Sequence, residues 1–453
     1  LCLGGDPLAQ SWSTTETQKD FSAKRRPHIE KMSRVHVFEP APTLTGMNAD
    51  YRHRTHPSKL LPVGLAIAHE LTKLGIDKQE LRDLTADYTP ENVETQTGVK
   101  AENIRRAAKS LAQSSGHSIL YVNGAAAQTQ DALALHLLAN YLNYHLANYG
   151  NTIDISAAPS NQAQGTHARM FRLIEEMNAG EVDVVIFHGV NPAYTLPEAS
   201  GFADALARVK TIVSLNMMMD ETAALADMAI PSVHGLESWG DAEPLTGLFS
   251  IQQPMIRPIF GGASKNPFDA TRAWQESLMA LAREAGSDVF ERELTEQQLA
   301  DLALEQGVES PEELDQSLRR PRPIAWYDYV RETWRDQVFP RATSDKDFEN
   351  FWIDTLQAGV VDLRNLEKNQ QFQKVSLGDI RPQGKDGLVL VAQPSIMHGD
   401  GNSMVNPHML EMPDPVSKVC WDNHISIAPA LAENLGVEDG QHVLLTLEGK
   451  EVS

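Results

Sequence analysis

Short apolar runs alternate with longer stretches whose apolar residues recur at helical spacing. The runs with the length and composition of strands are 35–39, 118–122, 182–187 and 211–215. The stretches with helical spacing are 60–74, 100–113 and 130–149, and Thr89-Pro90 predicts a further helix start. We also expect 182–187 to be a buried strand, 388–392 to be a further strand and 43–50 to be a polar loop. Strands that alternate with helices imply right-handed crossovers and a parallel sheet. The pattern therefore predicts an α/β fold.

Polar loops follow three of the predicted strands. They come after Val122, Phe187 and Leu215, and they are rich in asparagine and glycine. In parallel sheets, ligands bind beyond the carboxyl ends of the strands. We therefore expect these three loops to lie together at one edge of one sheet.

Changes in composition divide the chain into four predicted domains. They are a truncated α/β domain at 1-117, a doubly wound α/β domain at 118-265, an acidic helical connector at 266-386 and the start of a β-barrel at 387-453. Residues 288–320 are strongly acidic and indicate a solvated helical pair, with a partner surface as the alternative. The sequence shows no internal repeat.

Composition and charge exclude several functions. The 453 residues include 61 Asp and Glu against 39 Lys and Arg, a formal net charge of −22, which argues against a nucleic-acid partner. Two cysteines, Cys2 and Cys420, are too few for an iron–sulfur cluster, which normally takes four thiolates. No apolar run approaches the roughly 20 residues that span a bilayer.

Both ends of the chain have the pattern of segments from within a larger protein. Leu1–Gly5 predicts a strand that enters a glycine turn, and Leu447–Ser453 predicts a hairpin that stops in its second strand. We therefore expect the chain to be a fragment of a longer one.

Few residues match standard chemical motifs. The 15 histidines have no metal-binding spacing, and His53 and His56 indicate a solvated loop. The loop Gly189-Val190-Asn191-Pro192 can bind a ligand through glycine and asparagine, but a plain strand-to-helix turn explains it equally well. A more specific segment follows at 220–231, where Asp227 precedes a short strand that Pro231 ends.

Together these motifs resemble the molybdopterin oxidoreductase superfamily. The motifs are the Gly-x-Asn-Pro loop at 189–192, the stretch from Glu221 through Asp227 and Pro231 to Glu237, and a C-terminal series, 398–400, 406–407, 410–415 and 435–440. The resemblance implies domains II–III of a formate dehydrogenase or DMSO reductase fold, with parallel sheets flanked by helices. It also implies the start of a C-terminal double-psi β-barrel.

A variant segment narrows the resemblance. Where ordinary members carry an Asp-Pro-Arg loop, this chain has Glu39-Pro40-Ala41, followed by Thr45-Gly46-Met47-Asn48-Ala49-Asp50. This segment is similar to the large iron–sulfur/molybdopterin-like subunit of bacterial alternative complex III, a membrane-bound quinol oxidoreductase. That resemblance implies a structural chain without a catalytic residue, metal or cofactor of its own. The alternative is a catalytic enzyme of polysulfide-reductase type that binds bis-molybdopterin guanine dinucleotide.

The resemblance also implies which residues would contact a pterin, if one binds. They are Asn123, Asn161, Gln162, Gly165, Gly189, Asn191, Asn216, Glu221, Asp227 and Glu237. Near Gly240, members carry a Gly-x-x-x-Asn-x-Glu-Gly-Arg type run, but this chain has Glu243-Pro244-Leu245-Thr246-Gly247. An acidic loop beside an anionic cofactor is unfavourable.

Alternative complex III further implies partners and a location. The partners are a ferredoxin-like iron–sulfur domain or subunit, a multihaem cytochrome c and integral membrane quinol-binding subunits. Iron–sulfur clusters and haems c would then lie on those partners or on the rest of this protein. The location would be the periplasmic face of the bacterial inner membrane, after export by an upstream twin-arginine signal.

Overall fold

A computed structural model describes most of the chain. The described residues are 1–11, 13–27, 32–154, 165–260, 271–308, 310–342, 345–364, 377–378, 380–384, 387–399, 401, 404, 406–447 and 450–452. They form two compact units, Leu1–Ile155 with Asn369–Ser453, and Ser156–Lys368. The boundaries of these units differ from those of the four predicted domains, which stay a prediction.

The first unit contains a parallel four-stranded sheet flanked by helices. Its strands are β1 (Cys2–Leu3), β2 (His36–Glu39), β3 (Tyr51–Arg54) and β4 (Tyr121–Val122), in the order β3-β2-β1-β4. Its helices are α1 (Thr14–Ala23), α2 (Leu44–Met47), α3 (Leu60–Lys73), α4 (Gln79–Thr85), α5 (Pro90–Thr97), α6 (Ala101–Gln113) and α7 (Ala132–His145), with 3₁₀ turns at Pro57–Lys59 and Gly124–Gln128.

Helix α3 lies at the centre of this unit's core. Nearly all of its side chains are buried, and they pack against apolar residues of α5, α6 and α7. Burial all round is typical of a helix enclosed by other elements. Helix α5 begins as predicted, because Pro90 occupies its first turn and the Thr89 hydroxyl accepts the Asn92 N–H (3.3 Å).

The second unit contains a parallel and an antiparallel sheet. Its elements begin with α8 (His167–Asn178), β5 (Val184–Phe187), α9 (Pro192–Thr195), α10 (Phe202–Leu206), β6 (Thr211–Ser214), β7 (Met228–Ala229), β8 (Gly240–Leu245) and β9 (Leu248–Gln252). They continue with α11 (Trp274–Glu284), β10 (Glu291–Arg292), α12 (Glu296–Gln306), β11 (Arg322–Pro323), α13 (Trp326–Thr333), α14 (Phe348–Ala358) and β12 (Val360–Asp362). A π-helical turn, Trp334–Val338, follows α13, and short 3₁₀ turns lie at Glu198–Ser200, Ala223–Leu225, Gly235–Glu237, Pro311–Glu313 and Phe339–Arg341.

The parallel sheet of this unit has the order β5-β6-β7, and the antiparallel sheet has the order β12-β9-β8. Phe187 and Ile212 pack with α8 and α10, on one face of the parallel sheet. The antiparallel sheet packs against an aromatic cluster that includes Trp334, Phe351 and Trp352.

The remaining elements belong to the last part of the first unit. They are α15 (Pro407–Leu410), α16 (Pro429–Leu435), β13 (Leu445–Leu447) and β14 (Lys450–Val452), and the two strands pair as an antiparallel hairpin. The predicted strand at 388–392 has no strand structure. The C-terminal barrel therefore stays a prediction.

Several sequence predictions need correction. Strand β4 pairs with β1, so the loop after Val122 lies in a different sheet from the loops after Phe187 and Leu215. The predicted polar loop 43–50 contains a helical turn, α2. The described residues of 288–320 hold one longer helix, α12, and a 3₁₀ turn at Pro311–Glu313, rather than a pair of longer helices. The strand predicted to be buried, β5, exposes Val184 and Ile186.

The fold class itself is confirmed. Parallel strands alternate with helices in both units, as the apolar pattern predicts.

Candidate functional site

The candidate site lies in the second unit, where β5 and β6 end side by side. Gly189 turns the chain after β5 with a φ of 62°, a conformation that glycine adopts without strain. Asn191 then precedes Pro192, which begins α9. Asn216 follows β6, and the segment Asp220–Ala223 leads away from it. The loops after Phe187 and Leu215 therefore lie together, as predicted.

Three hydrogen bonds join these two loops through Thr222. The Asn191 Oδ1 accepts the Thr222 N–H (3.1 Å) and the Thr222 hydroxyl (2.8 Å). The same hydroxyl accepts the N–H of Ala193 (3.0 Å). Thr222 is completely buried, so this network fixes the backbone beneath the site.

Asn216 adds a second link between the loops. Its Nδ2 donates to the Val190 carbonyl (2.9 Å) and to Asp220 Oδ2 (2.8 Å). Its Oδ1 is buried and has no hydrogen-bond partner among the described residues. A buried acceptor without a partner is uncommon and costs about 1–3 kcal/mol. This atom is the clearest vacant position for a ligand's hydrogen-bond donor.

Two carboxylates lie at the mouth of the site. Glu221 is exposed and accepts from Asn191 Nδ2 (2.6 Å), and this hydrogen bond keeps the pKa of Glu221 below its usual value. Asp220 uses its other oxygen to accept the Ala223 N–H (2.7 Å). The side chains of this network are therefore amides, a hydroxyl and carboxylates, and its charge is negative.

Of the other predicted contact residues, some lie apart from this network. Asp227 accepts the N–H of Ile212 (2.8 Å), near the amino end of β6 rather than its carboxyl end. Glu237 accepts the N–H groups of His234 and Ile259, both at 2.9 Å, and these bonds lower its pKa. Asn123 lies in the first unit, where it donates to the Tyr121 hydroxyl (3.2 Å).

The rest of the predicted set gives less information. Gly165 is exposed, directly before the Thr166 cap of α8. Asn161 and Gln162 lie outside the described residues. The Glu243 carboxylate of the β8–β9 hairpin accepts the N–H of Gly247 (2.6 Å), so it stabilises the turn there.

Thr222 and Asp220 are the two members of the network that the predicted contact set omits. Asp220 was recognisable, because an aspartate three residues before Ala223 has the spacing of a side-chain cap at a helix start. Thr222 gave no comparable signal, since its role depends on its distance from a loop 31 residues earlier.

Two features are absent from the described residues. No group of three or more His, Cys, Asp or Glu side chains there is arranged to hold a metal ion. In the same part of the chain, no helix combines the length and apolarity that crossing a membrane requires.

A family model described as molybdopterin oxidoreductase matches residues 20–273, more than half of the chain and the whole of the candidate site. The chain belongs to this family. The match confirms the sequence-based assignment at the level of the superfamily.

Curated relatives include several oxidoreductase subunits. The chain is 26% identical over 310 residues to the menaquinone reductase molybdopterin-binding-like subunit of Nitratidesulfovibrio vulgaris, covering 64% of this chain and 43% of that protein. It is 26% identical over 237 residues to formate dehydrogenase H of Escherichia coli (44% and 32%). It is 21% identical over 494 residues to the thiosulfate reductase molybdopterin-containing subunit of Salmonella typhimurium (93% and 62%).

The chain spans less than two thirds of the length of each of these relatives. Among solved structures, acetylene hydratase from Pelobacter acetylenicus matches with a TM-score of 0.44 and 16% identity, over 63% of this chain and 47% of that one.

Members of the family normally bind a molybdopterin cofactor, so the site can be tested for that group. Two features fit: the Asn216 Oδ1 needs a donor, and a side chain at Gly189 would meet no described atom within 4 Å, so the loop is open. Two features do not fit. The carboxylates of Asp220 and Glu221 are negatively charged, and so is the diphosphate that a pterin nucleotide carries. The residues of the site therefore fit the cofactor only in part: they offer one unpaired acceptor and an open loop, but two negative charges.

Proposed function

We propose that this chain is part of a subunit of a quinone-linked respiratory oxidoreductase of the alternative complex III type, in which the molybdopterin-type fold has a structural role. The observation that carries the proposal is the pair of carboxylates at the site, Asp220 and Glu221, bonded to Asn216 and Asn191. The amides that could contact a cofactor are thus partly used by acidic groups of the chain itself.

Electrostatics favour this assignment. A bound diphosphate would carry the same sign of charge as Asp220 and Glu221, and like charges at short range repel. A hydrogen bond to the free Asn216 Oδ1 contributes only about 0.5–1.5 kcal/mol, and it adds no positive charge to the site.

The relatives support a quinone-linked role. The menaquinone reductase subunit is described as molybdopterin-binding-like. Because two cysteines cannot hold a cluster, we place the iron–sulfur clusters and haems on partner subunits or on the rest of this protein. A ferredoxin-like domain, a multihaem cytochrome c and integral membrane subunits are the partners we propose, at the periplasmic face of the inner membrane.

A second candidate function is a catalytic oxidoreductase of polysulfide-reductase type with a bis-pterin cofactor. The unpaired Asn216 Oδ1 and the open loop at Gly189 favour it. In that case Asn191 and Asn216 would orient the nucleotide part of the cofactor, which when bound supplies two-electron redox chemistry at its metal.

Elemental and pterin analysis of the purified complex separates the two functions. The full-length subunit is isolated with its partners, molybdenum and tungsten are measured by mass spectrometry, and pterin is measured by fluorescence after oxidation. We expect quinol oxidation with metal and pterin far below one per chain. A preparation of formate dehydrogenase treated in parallel controls for cofactor loss. One metal per chain would favour the catalytic enzyme instead.

A further inference from the structure

The hydrogen-bond network of the candidate site has a counterpart in the first unit. There the loop Gly4-Gly5-Asp6-Pro7 follows β1, as Gly189-Val190-Asn191-Pro192 follows β5, and Gly4 has a φ of 70°. Asp6 Oδ1 accepts the N–H of Thr45 (2.9 Å) and its hydroxyl (2.5 Å). That hydroxyl accepts the N–H of Leu8 (3.1 Å). These are the same three bonds that Thr222 makes with Asn191 and Ala193.

The correspondence extends to the strands. Asp50 lies five residues after Thr45 and accepts the N–H of Val35 (2.8 Å), as Asp227 lies five residues after Thr222 and accepts that of Ile212 (2.8 Å). The strand registers also agree: Cys2 is opposite Val37, and the equivalent Phe187 is opposite Ser214.

The two units therefore repeat one motif, and the sequence-based prediction of no internal repeat is wrong. The identical side chains lie scattered over short, separated segments: Gly4 and Gly189, Pro7 and Pro192, Thr45 and Thr222, and Asp50 and Asp227. Sequence comparison alone detects such a repeat poorly.

The copies differ at one decisive position. Six residues before the shared threonine, the second unit has Asn216 and the first has Glu39. Glu39 is completely buried. Its carboxylate accepts the Thr43 hydroxyl (2.6 Å) and forms an ion pair with Arg52. The acceptor that is unpaired in one unit is thus replaced in the other by a carboxylate with its own partners.

The surroundings of Glu39 are adapted to this carboxylate. A Cβ atom at Gly46 would overlap the carboxylate of Glu39, whereas the equivalent residue of the second unit is Ala223. The loop is also covered: a Cβ at Gly4 would lie 2.7 Å from the Ala126 backbone nitrogen, and one at Gly5 would lie 2.7 Å from the Tyr121 ring. A Cβ atom at Gly189, by contrast, would lie within 4 Å of no described atom.

We propose that Glu39, held by Arg52 and Thr43, plugs the first unit's copy of the site, so that an internal carboxylate takes the place of an external ligand. The chain then offers one open site of this type instead of two. A buried carboxylate needs a paired cation and hydrogen bonds, and Glu39 has both. The plug goes beyond the proposed function, since it stands even if the second unit binds a nucleotide.

Chemical rescue tests the plug. In the full-length protein, Glu39→Ala removes the carboxylate and leaves the Arg52 guanidinium beside a cavity. We expect the melting temperature to fall by roughly 5–10 °C, because the buried hydrogen bond to Thr43 and the ion pair with Arg52 are lost and a cavity is left. Excess potassium acetate should restore at least half of this loss, whereas potassium chloride of equal ionic strength should not. Acetate should leave the wild-type protein unchanged.

A matched control uses the equivalent position of the second unit. Asn216→Ala also opens space, but among the described residues no cation lies in its hydrogen-bond network, so acetate should give no recovery. If Glu39→Ala does not fold, Glu39→Gln is compared with Glu39→Gln/Arg52→Gln. The single variant Arg52→Gln completes the cycle. Arg52→Gln should cost less stability in the Glu39→Gln background than in the wild-type protein, because its anionic partner is already gone.

Several results would overturn the plug. They are an acetate effect on Glu39→Ala no larger than on Asn216→Ala, an Arg52→Gln loss that is equal in the wild-type and Glu39→Gln backgrounds, or two pterin nucleotides bound per chain. One bound pterin per chain would contradict the proposed structural function and leave the plug intact. Failed rescue in a protein without pterin would contradict the plug alone.

Discussion

Thr222 shows how much one buried hydroxyl does at this site. It donates to Asn191 and accepts from Ala193, so it links two loops that follow neighbouring strands. A valine has nearly the same shape but neither function. The loss would leave the Ala193 N–H without a partner beneath the site.

Replacing Thr222 with valine should lower the free energy of unfolding by about 1–3 kcal/mol, the usual penalty for a buried polar group left unpaired. Thr222→Ser keeps the hydroxyl and should retain most of the stability. Urea unfolding of the three proteins measures the difference. Equal losses for valine and serine would mean that packing of the methyl group, not the hydroxyl, is what matters.

His36 gives the first unit a pH dependence. Burial lowers its pKa to about 4, and its Nδ1 has no partner among the described residues. The charged and titratable groups around it include the amino terminus of Leu1, His53, Asp50 and Arg106. The Nε2 lies 3.1 Å from the Ser110 hydroxyl.

Stability of the first unit should therefore fall as the pH drops from about 6.5 to about 4. In that range the unfolded chain binds a proton at His36 and the folded chain does not, and the loss approaches about 3 kcal/mol. His36→Phe keeps the stacking on Tyr51 and should flatten this part of the profile. Ser110→Ala should lower stability without flattening it. An unchanged slope in His36→Phe would assign the effect to another group.

At the level of elements, the sequence predicts what local pattern determines. The helix at 60–74 and the Pro90 helix start were predicted within about a residue, because apolar spacing and capping are local. The sheet assignment of Tyr121–Val122 failed because strand pairing depends on distant residues. Helix α2 was missed because Asp6, 38 residues earlier, accepts its first N–H.

The two faces of strand β5 should tolerate a charged side chain to very different degrees. Val184 is 54% exposed in this chain, whereas Phe187 packs on α8 and α10. Val184→Lys should change the free energy of unfolding by less than about 1 kcal/mol, and Phe187→Lys should prevent stable folding of the second unit. Circular dichroism melts of the chain test both variants. Strong destabilisation by Val184→Lys would mean that this face is covered within the chain.

At the level of the whole molecule, part of the site could be predicted from sequence and part could not. Gly189, Asn191, Asn216 and Glu221 do lie together, because polar loops after parallel strands of one sheet share an edge. The negative charge of the site and its plugged copy at Glu39 depend on contacts between loops. Those contacts became visible only in three dimensions.

The acidic segment around Glu312 and Glu313 can be tested by charge reversal. Because the formal net charge of the chain is −22, an acidic segment on its solvated surface needs no special function to explain it. Glu312 and Glu313 lie exposed at a short 3₁₀ turn. Exposed charges contribute little to stability even when they are paired, so Glu312→Lys/Glu313→Lys should leave folding intact. If the segment is only solvated, the purified complex should keep the same subunits and size on gel filtration at low and high salt. Glu102→Lys, in the first turn of α6, is the matched control. Loss of a subunit at low salt in the double variant but not in the control would instead identify residues 311–313 as a docking surface for a basic partner.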